Sequence, residues 1–334
     1  MFRSVYESPY FFSSDVMRNM KIDIVELEKI YRQKDEKFIT ILNAIRNRSI
    51  TDELLDTLNN RHYPDFQADD KFYMYLTTTN NNADRVNTIY LSKISGKNYT
   101  YEGRIEGKFD QKSAPADIFL TVKVGSQIML VNNDRENRWI NGTVGKIVKI
   151  KSENSEDIIF VALDDGEIVE VARHTWEMFR FVYNEQTKTL QSNIIGTFTQ
   201  YPIILAWAIT IHKSQGKTFE KVIIDMDRGA FAHGQTYVAL SRCVSLEGLV
   251  LKKPIKKSHI LLDWKVVKFL TQFQYKKSDE TFSLDKKIMF IKQAIENEQK
   301  IEIVYLKSND IKSKRVIQPQ EIGEMEYLNK KFLG

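Results

Sequence analysis

Residues 206–241 read AWAITIHKSQGKTFEKVIIDMDRGAFAHGQTYVALS and close on the charge of Arg242. An apolar approach, 203–205, runs into the polar cluster 212–215, and Gly216 follows, where the backbone can turn or come close to another molecule. The β-branched run 222–224 predicts a buried strand. After a loop holding Gly229 and Gly234, the helix-like stretch 236–240 delivers Ser241 and Arg242. An apolar frame that twice brings polar groups to its edge is the layout of an open α/β sheet, in which ligands bind beyond the strand ends. Apolar packing alone has no use for those polar endings.

Working outward, 334 residues with 42% hydrophobic content allow two or three domains with real cores. A formal charge of +5 permits a polyanionic partner without requiring one. Cys243 is the single cysteine, so no internal disulfide can form and a reducing compartment is expected. The five histidines, His62, His174, His212, His233 and His259, lack ligand spacing, so no metal site is predicted. No apolar run approaches the ~20 residues that span a bilayer, and the first residues lack a signal-peptide pattern. These features predict a cytoplasmic protein with no membrane partner.

The strings AITIHKSQG and GQTYVALSR resemble the last two conserved motifs of superfamily-one DNA helicases, in the branch that holds the PIF-one-like and RecD-like enzymes. The resemblance implies a RecA-like parallel sheet flanked by helices. It further implies that Gln215 and Gly216 lie near a nucleotide, while Thr210, His212, Lys213 and Ser214 contact single-stranded DNA. Upstream, a strand over 21–27 and an amphipathic helix from Phe38 flank Arg32-Gln33. This pattern, with Asp35, Phe38, Ile45 and Arg46, is similar to the family's fourth motif, whose arginine reaches the terminal phosphate of ATP. A planar, permanently charged guanidinium suits that task. Arg32 and Arg242 are thereby implied as catalytic arginines, and Gln33 as a nucleotide-side residue.

A strand over 73–76 and a helix from Asp84 flank the polar run 77–82. Threonine and asparagine there read as helix caps; the family's TN-x-x-x-D-x-x-N element, matched by Thr79, Asn80, Asp84 and Asn87, implies phosphate contacts from Thr79 and Asn80 as well. Residues 96–116 read as a hairpin or loop. Beyond them, alternating strands over 144–150, 158–163 and 168–171, the last two joined by Asp164-Asp165-Gly166, predict a small inserted antiparallel β-barrel. In the family such a barrel helps to grip DNA.

A P-loop requires G-x-x-x-x-G-K-[ST]. Gly216-Lys217-Thr218 supplies its end, but Ile211 stands where the first glycine belongs, and no other Gly-Lys pair completes the string. Compared with the family, the chain corresponds to the part that follows the nucleotide-binding first RecA-like domain. ATP and Mg²⁺ belong to the complete enzyme, with none expected on this chain alone, which is predicted inert as an ATPase. The partners implied are single-stranded DNA and the first RecA-like domain. A non-catalytic nucleic-acid-binding or regulatory protein with a helicase-like fold is the alternative. The expected division is a discontinuous RecA-like domain, 1–135 and 192–265, with the barrel at 136–191 and a linker at 266–283. A C-terminal α+β extension, 284–334, resembles the start of a WYL domain through Ala294, Ile295, Asn297, Tyr305, Arg315, Ile317 and Pro319.

Overall fold

The computed structural model describes residues 5–20, 31–68, 72–153, 156–227, 229–306, 312–327 and 330–333; the strand expected over 21–27 lies outside them. Helix α1 (Asp15–Asn19) leads to α2 (Glu36–Arg46) and α3 (Asp52–Asn59). Asp35 starts α2 by accepting the Lys37 and Phe38 amides at 2.9 and 3.1 Å, which satisfies donors that the first turn leaves free. Phe38, Ile41, Leu42 and Ile45, at helical spacing, form its buried face. Strand β1 (Met74–Thr77) is buried throughout, and Thr79 caps α4 (Asn80–Lys93).

Ten strands follow in the order β2 (Tyr99–Glu102), β3 (Arg104–Gly107), β4 (Phe119–Val122), β5 (Gln127–Leu130), β6 (Val144–Glu153), β7 (Glu156–Leu163), β8 (Ile168–Val171), β9 (His174–Asn184), β10 (Thr189–Gln200) and β11 (Ile203–Leu205). The chain then rejoins β1 through β12 (Ala208–Thr210), β13 (Val222–Asp225), α5 (Gln235–Leu240) and β14 (Leu249–Leu251). It continues into α6 (Trp264–Thr281), α7 (Leu284–Glu296) and the antiparallel pairs β15 (Ile301–Leu306) with β16 (Lys312–Ile317) and β17 (Glu324–Tyr327) with β18 (Lys330–Leu333).

The sheet that carries the quoted stretch has the order β12-β1-β13-β14, every pair parallel. Side chains alternate across such a sheet, and a parallel sheet needs cover on both faces. Met74, Leu76, Val222, Ile224, Leu249 and Leu251 enter one core with α2, Leu58 of α3 and Ala239 and Leu240 of α5. Tyr75, Ala208, Ile223 and Val250 enter another, beneath Ala83, Val86 and Tyr90 of α4. Because all four strands run the same way, the segments after β1, β12 and β13 emerge on one edge. Asn87 fixes that arrangement from α4: its amide donates to the Ala208 carbonyl at 2.9 Å and accepts the Ala208 amide at 2.8 Å, closing the free side of edge strand β12.

A separate core gathers Leu120, Val122, Ile128, Leu130, Trp139, Ile147, Val161, Val171 and Tyr201, and so draws on residues flanking 136–191 as well as on that stretch. Its main sheet is antiparallel, in the order β11-β5-β6-β7-β8. Within 96–116, β2 and β3 do not pair with each other; β2 joins β4 and β3 joins β10. The long β9–β10 ribbon gives little sequence signal because its outer half is exposed on both faces, which removes the alternation that marks a half-buried strand. The segment expected as a linker is the helix α6, capped by Asp263 accepting the Lys265 amide at 2.8 Å, with Phe269 stacked on Phe12 at 4.4 Å. Its polar residues are a solvated helix face rather than coil.

Candidate functional site

The loop between β12 and β13 leaves the sheet at Thr210 and turns at Gly216, whose φ of 79° is left-handed backbone that glycine adopts without strain. Two guanidinium groups, far apart in sequence, clasp this loop. Arg32 donates from Nε to Thr218 Oγ1 at 2.8 Å and from Nη1 to the Ser241 carbonyl at 2.9 Å. Arg242, placed by the end of α5, donates from Nε to the Val238 carbonyl at 3.0 Å, from Nη2 to Ser241 Oγ at 2.9 Å and from Nη1 to the Lys217 carbonyl at 3.3 Å. Both arginines thus converge on Ser241.

Every one of these acceptors is neutral. Among the described residues no carboxylate pairs with either arginine. Arg242 is only 8% exposed, and burial followed by the neighbouring Arg32 charge depresses its basicity. Two like charges held together without a counter-ion among the described residues favour an anion, since its charge would relieve both the repulsion and the desolvation. Gln215 and Gly216 are exposed beside them.

Two residues expected in contact with ligands are turned inward. Gln33 is buried, and its Nε2 donates to the Ser241 and Cys243 carbonyls at 2.9 and 2.8 Å, bracing the segment that carries Arg242. Ser214 is fully buried, with Oγ donating to the Ile211 carbonyl at 2.7 Å, so its hydroxyl is closed to DNA. In both cases burial turns the side chain to partners within the chain.

On the same edge, Asn80, Asp84, Thr210 and Lys213 line a cleft of about 280 Å³ together with Asp117 and the α4 face. Thr79 precedes Asn80, its hydroxyl accepting the Asn82 amide at 3.4 Å as the α4 cap. Lys213 and His212 are exposed. The Asp117 carboxyl is pushed up by desolvation against the cleft wall, opposed by the Lys213 charge and reinforced by that of Asp84. Sequence reasoning missed Asp117, which lies in a stretch without motif, and Thr218, the partner of Arg32. Asn141 accepts Lys217 Nζ on its Oδ1 at 3.0 Å and so joins the strand-rich unit to the arginine loop. Cys243 is a packing residue: it is fully buried, and its thiol is pushed up to about 11 by burial.

No protein-family model matches the chain. It is 32% identical over 255 residues to the ATP-dependent DNA helicase Pif1 of Bdellovibrio bacteriovorus, covering 75% of this chain and 54% of that protein. It is 31% identical over 232 residues to human PIF1, covering 67% of this chain and 34% of that protein. The structure of unliganded Pif1 from Bacteroides superposes with a TM-score of 0.70 at 32% identity, over 84% of this chain and 62% of that one. This chain is homologous to the Pif1 helicases. Its parallel sheet between helices is their RecA-like fold. The structure of Bacteroides Pif1 bound to single-stranded DNA also matches, with a TM-score of 0.63 at 33% identity over 83% of this chain and 62% of that one. The chain spans 54% and 34% of the two curated relatives, about half their length or less. Among the described residues no helix is long and apolar enough to cross a membrane, and no cluster of His, Cys, Asp or Glu could hold a metal ion.

Proposed function

We propose that this chain is the arginine-supplying domain of an ATP-driven DNA helicase motor, working opposite a P-loop domain that holds ATP and Mg²⁺. The observation that carries this reading is the pair of Arg32 and Arg242, held by neutral acceptors around the exposed Gln215 and Gly216. Arg242, being buried and pinned at three nitrogens, is positioned in advance, so little is lost in ordering it when negative charge develops on a transferring phosphoryl group. Arg32 reaches the same region from the other flank of the loop. The strand-edge cleft is the proposed path of single-stranded DNA, with Lys213 and His212 meeting phosphates and Asn80, Thr79 and Thr210 fixing the backbone. Nucleotide and DNA contacts then sit on one loop, so opening and closing about the nucleotide shifts the grip on the strand.

In this reading the RecA-like domain is formed by 1–135 and 192–265, the stretch 136–191 with its flanking strands is an insert that braces or grips DNA, and 284–334 is a partial WYL-like segment joined through α6. The test is single-stranded-DNA-stimulated ATP turnover by a polypeptide joining this chain to a P-loop domain. Arg242→Ala is expected to lower kcat by about three to five orders of magnitude while DNA binding persists. Unchanged turnover refutes the role, and DNA-stimulated hydrolysis by this chain alone refutes the division of labour.

A further inference from the structure

The loop between β13 and α5 leaves one large ring in solvent beside the HKSQG segment. Phe231 is 62% exposed, and its ring centroid lies 6.3 Å from that of His212, tilted by 41°. An exposed phenylalanine is ordinary by itself. Here the backbone beneath the ring is pinned on both sides. The Phe231 amide donates at 3.0 Å to Oε1 of Gln235, a side chain only 4% exposed. The Gly234 amide donates to the Leu261 carbonyl at 3.0 Å, and the Gly229 amide to the Met226 carbonyl at 2.7 Å. Gly229 packs so closely on His259 that a Cβ would come within 2.9 Å of the imidazole. The bonds at Gly229, Phe231 and Gly234 therefore hold an apolar ring out to water, on the sheet edge where β12 delivers Thr210 and Lys213 to the cleft.

Cations beside exposed aromatic rings are the equipment for binding single-stranded nucleic acid: the cations follow phosphates and the rings stack on bases, whatever the sequence. We infer that Phe231, with His212 at its side, is a base-stacking site for single-stranded DNA. The inference rests on the reading that the HKSQG loop meets DNA, and it adds a base contact to the phosphate contacts of that reading. A stacked base releases no counter-ion, so this contribution separates from that of Lys213 by its salt dependence.

The experiment is a fluorescence-anisotropy titration of this chain with labelled oligothymidylate over a range of salt concentrations. Phe231→Ala is expected to weaken binding about five- to 150-fold with an unchanged salt slope, and Phe231→Trp to restore it. Lys213→Ala should make the slope shallower by about 0.7. An abasic oligonucleotide should bind wild type and Phe231→Ala alike. Wild-type binding that Phe231→Ala leaves untouched, or a Phe231→Ala loss that persists in full on the abasic strand, overturns the stacking site alone. Absence of oligothymidylate binding by the wild-type chain overturns both the stacking site and the DNA reading beneath it.

Discussion

Asn87 offers the most direct test of how this sequence holds its functional edge. The side chain is 8% exposed and makes three contacts with β12 and its approach: Nδ2 to the Ala208 carbonyl at 2.9 Å, Nδ2 to the Leu205 carbonyl at 3.3 Å, and Oδ1 from the Ala208 amide at 2.8 Å. Asn87→Ala leaves the Ala208 amide and carbonyl without these partners. Each buried group so orphaned costs about 1–3 kcal/mol, which sets a range of about 2–6 kcal/mol for the two. The lower half of that range is expected, because Asn87, Leu205 and Ala208 all line the cleft and water can enter to replace part of what is lost. An expected loss of about 2–3 kcal/mol corresponds to a fall of roughly 4–12 °C in Tm for a domain of this size. Circular-dichroism melts of the wild type, Asn87→Ala and Asn87→Asp measure it. The aspartate still accepts the Ala208 amide but sets its charge against two carbonyls, so it should be destabilising at neutral pH and milder once protonated in acid. A Tm for Asn87→Ala within about 1 °C of wild type refutes the edge-strand argument, and with it the claim that α4 fixes the position of Thr210.

Two further outcomes follow from the strand-rich unit. Asp134 accepts Arg138 Nε and Nη2, each at 2.8 Å, and this pairing holds its carboxyl at about 2. A carboxylate whose folded value lies below its unfolded one contributes stability above the ordinary range and loses it as pH falls. The urea-midpoint gap between wild type and Asp134→Asn should therefore close between about pH 5 and pH 2. Gly142 has φ 106°, and a Cβ there would lie 2.6 Å from Lys217 Nζ and 3.0 Å from its Cδ. The lysine tip can move but the backbone cannot, so Gly142→Ala should cost about 1–3 kcal/mol, and by the same amount in a Lys217→Ala background; full rescue by the second change would assign the cost to the clash instead.

The parallel sheet was legible because its strands are short apolar runs, of which 222–224 is β-branched, and a burial pattern covering both faces leaves few other places for them. The pairing of Arg32 with Arg242 was legible only through the resemblance; no local feature of Tyr31-Arg32-Gln33 says that it meets Ser241, over two hundred residues away. The same strings could not tell Lys213 from Ser214. They are adjacent in sequence, yet one is exposed and the other fully buried, because the tight turn after β12 spends the serine hydroxyl on the Ile211 carbonyl. Gln33 poses the same question, since an amide suits a ligand and a bare carbonyl equally well. Phe231 carried no signal at all, being an ordinary residue whose meaning comes from neighbours supplied by other elements.

These neighbours make the loop from Thr210 to Thr218 a three-sided object. Its first residues line the cleft, Lys213 among them. Its middle carries the exposed Gln215 and Gly216 between two arginines, which hold the Lys217 carbonyl and the Thr218 hydroxyl. Its Lys217 side chain, half-buried and with basicity depressed by that burial, reaches Asn141 in the strand-rich unit. The loop has one flexible joint in left-handed backbone, Gly216, with open space around it. Any shift of the arginines toward an anion must therefore either bend at Gly216, leaving Lys213 in place, or carry the whole loop, moving Lys213 and pulling on Asn141. The hydrogen bond from the Ser214 amide to the Thr210 carbonyl at 3.0 Å and that from the Lys217 amide to the Ser214 carbonyl at 3.1 Å tie the two ends of the loop together and favour the second course. On the proposed reading, that is the route by which charge at the arginines would be felt at the cleft.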